Sequence, residues 1–408
     1  MLKKVINLFI KFFIEELKII KTNVVNILVY FHDFNILNLL LSKIFNYKNC
    51  KIFKINEIND FINYNRKKLK NTFVKNLDKK IYVESFINHP IYTIQNCIIA
   101  SATSKILKKE CCGLLRKGDI KSKEIFSSFG INKIIYIDQG NIFTRFYNLI
   151  ILFNLLKNIK NIESLVKLKF ENIEIGRAVY DQYLRFKKNP STTSIVIDFY
   201  FFLSQALILN KQFKNIFKIN TNTYLIQSET QYYPYTLCMQ NAIKFNNLVI
   251  SRRGHIAKIG IKIFSKKNKN FNENRNRPPK KLVQLVYKEI YKKSEGKIKS
   301  TKSNIFKLNI GNEIYQVINK NKNKKFFYSK KDVCNYFKFD EKKPIVLILA
   351  HELTDGNLHN SWNLFINDFF WLEETIQKIK KIKNVNWIIK SHPSEKTYNC
   401  KIKTADIY

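Results

Sequence analysis

Short apolar runs alternate with stretches of helical periodicity over residues 80–251. The β-rich runs are residues 81–85, 134–138, 223–228 and 247–251, and the helical stretches lie around residues 95–100, 149–165, 199–217 and 234–245. An alternation of this kind favours parallel sheets that are covered by helices. The sequence therefore predicts an α/β fold class.

A second unit of the same kind begins at Ser329, where Asp332 three residues later predicts a helix start. Residues 344–350 are a continuous apolar run, typical of a buried parallel strand. Residues 368–382 carry an apolar stripe with acidic residues at the start and lysines at the end, as expected for a helix. A strand over residues 385–390 completes a predicted βαβ unit.

Composition divides the chain into four predicted regions. Residues 1–78 form a helical, amphipathic region, and residues 79–257 form a Rossmann-like domain. Residues 258–328 are rich in Lys and Asn, with little apolar periodicity, and are predicted to bridge two domains. Residues 329–408 form the start of a second α/β domain.

The chain is strongly basic, with 72 Lys and Arg against 31 Asp and Glu and a formal net charge of +41. Only nine of these cations are arginine, and the lysines are spread along the whole sequence. A coding bias towards Lys, Asn and Ile explains this distribution better than nucleic-acid binding, which favours clustered Arg and a recognisable module. We therefore predict no specific nucleic-acid partner.

The seven cysteines contain no C-x-x-C pair, which favours a reduced, cytoplasmic chain. Lys11, Glu15 and Glu16 interrupt the first apolar run, so it is not typical of a signal peptide, and no stretch has the length of a membrane span. The apolar spacing up to Leu17 leaves two interpretations open. The first helix either lies on an anionic membrane, at the inner face of the cell membrane, or packs on its own domain.

Residues 390–395, Lys-Ser-His-Pro-Ser-Glu, follow the last predicted strand. A strand end followed by a helix start presents backbone N–H groups, an ammonium and an imidazole at one place, which suits a phosphate. The alternative is an ordinary turn in which His392 caps the backbone.

Residues 351–359 follow another strand end and contain His351, Asp355 and His359. The pattern resembles the H-E-x-x-H zinc helix, but Gly356 and Asn357 would break such a helix, so we predict no metal site. These side chains are better suited to face a substrate. The histidines at positions 32, 89 and 255 are predicted to be structural or surface residues.

Two further stretches supply candidate cleft residues. On the helix predicted within residues 173–185, Tyr180, Asp181 and Arg185 could line a cleft, with a surface ion pair between Asp181 and Arg185 as the alternative. Residues 228–235 follow a strand end and offer Glu229 and Tyr232. The absence of G-x-G-x-x-G, Walker, nucleophile-elbow and Cys/His metal motifs excludes dehydrogenases, P-loop NTPases, α/β-hydrolases and zinc enzymes.

The segments AHELTDG, SWNLFINDFFWLEETI and NVNWIIKSHPSEKTY occur in this order. Their succession resembles the bacterial capsule and surface-polysaccharide biosynthesis proteins of the GT-B glycosyltransferase type, a group that includes Kdo transferases. Those proteins carry an aHxxxD loop, a phenylalanine-aspartate-x-x-tryptophan helix and a W-x-x-K-x-H-P-S turn. IEIGRAVYDQYLR is similar to an N-terminal element of the group, as is SETQYYPY with the following NLVISRRG.

The resemblance implies a GT-B-like α/β fold with two Rossmann-like domains and parallel sheets. It implies a nucleotide-sugar donor, CMP- or UDP-linked, without a further cofactor, and a glycan or lipid-linked acceptor. The donor phosphate would be held by Lys390, His392 and Ser394. The implied catalytic candidates are Asp181, His351 and Asp355, and the acceptor-side candidates are Tyr180, Arg185, Glu229 and Tyr232.

The group's C-terminal domain continues beyond the K-x-H-P turn, whereas this chain ends at Tyr408. We therefore expect an incomplete C-terminal domain, and an isolated chain without activity is one expected outcome. The function implied is sugar transfer in surface-polysaccharide assembly. The alternative is a non-catalytic basic protein that binds an anionic membrane or nucleic acid through its lysines.

Overall fold

The computed structural model describes most of the two predicted α/β units. The described residues are 7, 10, 12–14, 17, 55–68, 80–86, 90–116, 119–137, 140, 142–156, 159, 161–192, 194–196, 198–253, 260–266, 329–355, 365–392, 394–395 and 400–407. Most of the predicted N-terminal region (1–78) and bridging region (258–328) lies outside them, as do His32, His89, His255 and His359.

The first unit alternates strands and helices. Its elements are α1 (Ile55–Lys68), β1 (Lys80–Ser85), α2 (Pro90–Leu107), β2 (Glu110–Arg116), α3 (Ile120–Ser128), β3 (Lys133–Ile137), α4 (Ile142–Leu156), α5 (Ile162–Val166), β4 (Lys169–Phe170), β5 (Ile173–Glu174), α6 (Ile175–Lys187), α7 (Asp198–Ile219), β6 (Tyr224–Gln227), α8 (Tyr232–Lys244), β7 (Leu248–Arg253) and β8 (Gly260–Phe264).

Six of these strands form one sheet in the order β3-β2-β1-β6-β7-β8. All neighbouring pairs are parallel except β7 with β8, which is antiparallel. The chain order reverses between β1 and β6, and in open α/β sheets ligands bind outside the carboxyl ends of the strands at such a point. The fold class predicted from the sequence is confirmed: this is an α/β protein with a mixed, mostly parallel sheet.

Helices cover both faces of the sheet. Successive residues of a strand point to opposite faces, so a strand that is apolar throughout needs helices on both sides. On β1, Tyr82 belongs to the core under α6, α7 and α8, whereas Ile81 and Val83 belong to the core under α1, α2 and α3. All three side chains are fully buried. The larger core lies under α6 and α8, the helices that carry candidate site residues.

The structure contains two strands of this sheet that the sequence pattern did not predict. β2 lies between α2 and α3, and β8 extends the sheet beyond residue 257, into the start of the Lys- and Asn-rich region. The other predicted strands of this unit correspond to β1, β3, β6 and β7, and the predicted helices correspond to α2, α4, α5, α6, α7 and α8.

The second unit consists of α9 (Lys330–Phe337), β9 (Ile345–Leu349), α10 (Asp368–Ile379), β10 (Asn386–Lys390) and a 3-10 helix (Thr404–Ile407). Ser329 and Asp332 form the predicted capping box of α9. β9 and β10 pair in parallel, which confirms the βαβ unit. Asn367 caps α10, and its side chain accepts a hydrogen bond from the Phe370 amide.

The core of this second unit is small. Its buried apolar members are Ala350, Leu353, Leu372 and Ile376. The prediction that residues 344–350 form a fully buried strand is wrong, because Leu347 and Leu349 of β9 are 52% and 65% exposed. α10 packs on one face of the two strands, and the exposed side chains of Leu347 and Leu349 lie on the other.

Each helix among the described residues is too short or too polar to cross a bilayer. The six described cysteines, Cys97, Cys111, Cys112, Cys238, Cys334 and Cys400, are all free and buried.

Candidate functional site

The two units contact each other through polar groups. The Asn367 amide donates hydrogen bonds to the Tyr180 hydroxyl (3.1 Å) and to the Ser191 hydroxyl (3.0 Å). The backbone N–H of Lys401 donates to the carbonyl of Lys188 at 3.0 Å. These bonds join α6 and the chain just after it to the start of α10 and to the last residues of the second unit.

The carboxyl ends of β9 and β10 bring two histidines together. Because Leu349 is paired with Lys390, the residues that follow the two strands lie side by side. The imidazole centroids of His351 and His392 are 5.9 Å apart. The sequence predicted both histidines at strand ends, and the structure places them at the same edge of the sheet.

His351 is held by two acceptors. Its Nδ1 lies 2.9 Å from the carbonyl oxygen of Glu352 and 3.1 Å from the Asp368 carboxylate. Since both neighbours can only accept, we assign the Nδ1 hydrogen to this ring. The hydrogen bond with Asp368 raises the pKa of His351 above the ordinary histidine value, against the opposing effect of burial. The imidazolium form is thereby favoured.

His392 has the opposite environment. The backbone N–H of Ser394 donates to its Nδ1 (3.3 Å), and the Ser394 hydroxyl contacts the same nitrogen. Nδ1 is therefore an acceptor, and the neutral ring carries its hydrogen on Nε2. Burial, followed by the charge of His351, lowers the pKa of His392. Ser394 thus orients His392, while Lys390 at the end of β10 is exposed.

A charged cluster lies beside the histidines, where α6 and α8 of the first unit meet the loop after β9. Arg185 is 3.4 Å from the Glu352 carboxylate and 3.7 Å from the Asp355 carboxylate. The Tyr232 hydroxyl donates a hydrogen bond to Asp355. Burial and the Asp355 charge raise the pKa of Tyr232, so its hydroxyl keeps its proton and acts as the donor. Arg185 therefore links α6 of the first unit to the loop after β9 of the second unit.

Glu352 is 1% exposed and fixes the loop between His351 and Asp355. One carboxylate oxygen accepts from the Thr354 hydroxyl (2.7 Å), the Thr354 N–H (3.2 Å) and the Cys400 thiol (2.7 Å). Burial raises the pKa of Cys400 to about 11, so the thiol is protonated and can donate. The other carboxylate oxygen faces Arg185.

Asp181 lies on α6, one turn before Arg185, and is 2% exposed. It lines a small surface indentation together with Glu174, Arg177 and Tyr232. The indentation therefore lies between α6 and the start of α8. A small polar group that reached Asp181 would pass between α6 and α8.

Two acceptor-side candidates do not point into an open cleft. Tyr180 is fully buried, and its ring stacks with Phe199 at 6.3 Å in the main core. Glu229 is half-buried, and its carboxylate accepts from the Thr230 amide at 2.8 Å, which stabilises its own loop. Tyr180 and Glu229 therefore stabilise the structure around Asn367 and Tyr232, and neither belongs to the charged cluster of Arg185, Glu352 and Asp355.

Glu84 occupies the point where the strand order reverses. The side chain is fully buried, and its carboxylate accepts from the amides of Phe86 (2.6 Å) and Ser228 (3.0 Å) and from the Ser228 hydroxyl (3.1 Å). Burial raises the pKa of Glu84. These hydrogen bonds join the end of β1 to the end of β6 and so stabilise the loop that leads to Tyr232.

Sequence reasoning missed three residues of this site: Glu352, Asn367 and Asp368. Asn367 and Asp368 stand at the start of a predicted helix, where a cap and an acidic residue are expected, but their pairing with Tyr180 and His351 is a long-range contact. Among the described residues, no group of three His, Cys, Asp or Glu side chains is placed to hold a metal ion.

Comparison of the chain with protein-family models, with curated proteins and with solved structures gave no match.

Proposed function

We propose that this protein is a glycosyltransferase of the GT-B type that acts in surface-polysaccharide assembly, with its nucleotide-sugar donor at the carboxyl ends of β9 and β10. The resemblance of residues 350–356, 361–376 and 384–398 to that group motivates the proposal. The adjacency of His351 and His392 is the observation that carries it.

The two imidazoles differ in a way that suits a phosphate. The hydrogen bond with Asp368 favours the cationic form of His351, whereas burial favours the neutral form of His392, whose Nε2–H can donate. Departure of a nucleotide from a sugar develops negative charge on phosphate oxygens, and preorganised donors stabilise that charge in the transition state. Lys390, exposed at the same strand end, adds a second cation.

The acceptor would approach from the first unit, on the side where Asp181 and Tyr232 lie. Of the two carboxylates, Asp355 is the more accessible, with a side chain 33% exposed, whereas Asp181 is 2% exposed. Asp355 is therefore our candidate to accept the proton of the attacking hydroxyl. Arg185 and Tyr232 hold it in place.

Isothermal titration with UDP and with CMP tests donor binding. We expect affinity for one of them in the native protein and at least a tenfold loss in His392→Ala and in Lys390→Ala. Lys383→Ala is the matched control, because Lys383 is exposed before the start of β10 and lies at its opposite end. Equal losses in Lys390→Ala and Lys383→Ala would indicate a general charge effect.

Turnover of a panel of nucleotide sugars by the same protein then tests the reaction. Absence of nucleotide binding, together with salt-sensitive binding to DNA or to anionic vesicles, would contradict the transferase and favour the non-catalytic basic protein.

A further inference from the structure

An apolar stripe on the N-terminal helical segment faces outwards. Ile10, Phe13, Ile14 and Leu17 follow the helical spacing of one face, and their exposed fractions are 55%, 58%, 46% and 66%. Phe12, on the opposite side of the helix, is 4% exposed. Among the described residues of this helix, Phe12 is the buried one, and the larger apolar face is not covered by the part of the chain that the structure describes.

α4 repeats this arrangement. Phe143, Tyr147 and Ile150 lie on one face of the helix and are 80%, 63% and 52% exposed, whereas Leu152 on the other side is fully buried. The helix contains no acidic residue. Here too the inner face packs on the domain and the outer face is apolar.

The N-terminal helix contacts α4 and α7 through Phe12. The ring of Phe12 lies 5.9 Å from that of Phe146 on α4 and 6.5 Å from that of Phe201 on α7. The inner side of the N-terminal helix therefore packs against α4 and α7, and both this helix and α4 carry an exposed apolar stripe. We call Ile10, Phe13, Ile14, Leu17, Phe143, Tyr147 and Ile150 the outer apolar surface. Single exposed apolar residues are ordinary, but a contiguous group indicates an interaction surface.

The charge of the chain decides what this surface fits. Residues 1–21 contain five lysines and two glutamates, and the whole chain carries a formal net charge of +41. Two copies with this charge repel each other, which disfavours self-association through the surface. Anionic lipid headgroups attract the same charge, and the acyl region accepts apolar side chains at the interface.

We propose that the outer apolar surface docks the protein on a bilayer that contains anionic lipid, with the N-terminal segment and α4 lying in the plane of the interface. Such a surface would serve a transferase and a non-catalytic protein alike. Vesicle binding and nucleotide binding are therefore separate measurements, and either can fail alone.

Flotation with vesicles tests the proposal, using phosphatidylcholine alone and phosphatidylcholine with about 30% phosphatidylglycerol. The test variant is Leu17→Glu with Phe143→Glu, and the control is Ile106→Glu with Ile219→Glu. Ile106 and Ile219 are 79% and 82% exposed. Ile219 lies 18 residues after Phe201 on α7, about 27 Å along the helix. Both variants add the same charge at exposed apolar sites.

We expect the native protein to float with the anionic vesicles only. The test variant should lose at least tenfold in vesicle affinity and the control should lose less than threefold. Thermal unfolding checks that the test variant folds. The single variant Phe143→Trp gives a second readout, since its emission should shift to shorter wavelength when anionic vesicles are added.

Three results would overturn the proposal. Equal losses in the two Glu variants would assign the attraction to net charge alone. A concentration-dependent dimer that the test variant abolishes would assign the surface to a second copy of the chain. Short-wavelength emission of the added tryptophan without vesicles, taken as the difference between Phe143→Trp and the native protein with its three tryptophans, would show that another part of the chain covers α4.

Discussion

The hydroxyl of Tyr232 donates a hydrogen bond to the carboxylate of Asp355. Tyr232 is the first residue of α8, after the end of β6, and Asp355 lies in the loop after β9. This single bond therefore joins the carboxyl edge of the six-stranded sheet to the carboxyl edge of the second unit. Tyr232 adopts a positive φ of 61°, which a non-glycine residue rarely takes, so its position is imposed by the surrounding contacts.

Tyr232→Phe should loosen the junction between the units. The variant loses one buried hydrogen bond, so we expect a loss of about 1 kcal/mol in the free energy of unfolding. Hydrogen exchange of residues 351–355 should become faster, because the loop loses its tether to α8.

Tyr233→Phe is the matched control. The Tyr233 hydroxyl donates to Gln205 at 2.8 Å within the first unit. The Tyr233→Phe variant should lose a similar free energy of unfolding, and its hydrogen exchange at residues 351–355 should be unchanged. Faster exchange of that loop in both variants would show that the Tyr232–Asp355 bond does not couple the units.

Arg185→Met should lower the free energy of unfolding by more than the removal of an ordinary surface cation does. Removal of Arg185 leaves Glu352 buried with its charge unpaired, and we expect a loss of about 2–3 kcal/mol in the free energy of unfolding. Lys133→Met breaks an ion pair with Glu110 that is shorter, at 2.7 Å, but has a lysine side chain 51% exposed. Lys133→Met should therefore lose less than about 1 kcal/mol in the free energy of unfolding. Chemical denaturation of the two variants measures the difference, and equal costs would contradict the importance we assign to the burial of Glu352.

The two neighbouring histidines should titrate on opposite sides of the ordinary value of about 6.5. Asp368 raises the pKa of His351, whereas burial and the charge of His351 lower that of His392. Histidine resonances assigned by single His→Gln variants should show this order in an NMR titration. The same order would make nucleotide affinity fall as pH rises through the pKa of His351.

The Asp368–His351 pair should also stabilise the fold in one pH range only. Because the folded-state pKa of His351 is raised, the stabilisation is complete below about pH 6.5 and disappears as pH rises through the folded-state value. Asp368→Asn should therefore be most destabilising at low pH and approach the native protein at high pH. Asp60→Asn, at an exposed aspartate of α1, should show no such dependence. A difference independent of pH would rule out this linkage.

The pattern of apolar and polar residues predicted those elements whose sequence signals lie close together along the chain. The capping box of Ser329 and the βαβ unit around α10 were found because their signals lie within a few residues of sequence. β2 was missed because its Cys-Cys-Gly sequence has little β-branched character. An apolar run predicts a strand but does not tell a fully buried strand from a half-exposed one, so the exposure of Leu347 was not foreseen.

The candidate site was predictable only in part, for a similar reason. The rule that ligands bind at strand ends located His351, Asp355 and His392. The partners of these residues are distant in sequence: Arg185 and Glu352 are separated by 167 positions. Contacts of this kind depend on how two units pack, and no periodicity along one chain contains that information.

Gly176 marks a close approach that fixes where α6 begins, and it supports a last prediction. A Cβ at Gly176 would lie 1.8 Å from the backbone oxygen of Leu165, which cannot move away without disturbing the end of α5. A Cβ at Gly113 would meet the side chains of Ile134 and Phe126 at 2.7 Å, and side chains can rotate. We therefore expect Gly176→Ala to lose about 3 kcal/mol or more and Gly113→Ala about 1–2 kcal/mol in chemical denaturation. Because α6 carries Asp181 and Arg185, Gly176→Ala should also speed hydrogen exchange at residues 351–355. An unchanged exchange rate there would show that the packing of α5 on α6 does not affect the junction of the two units.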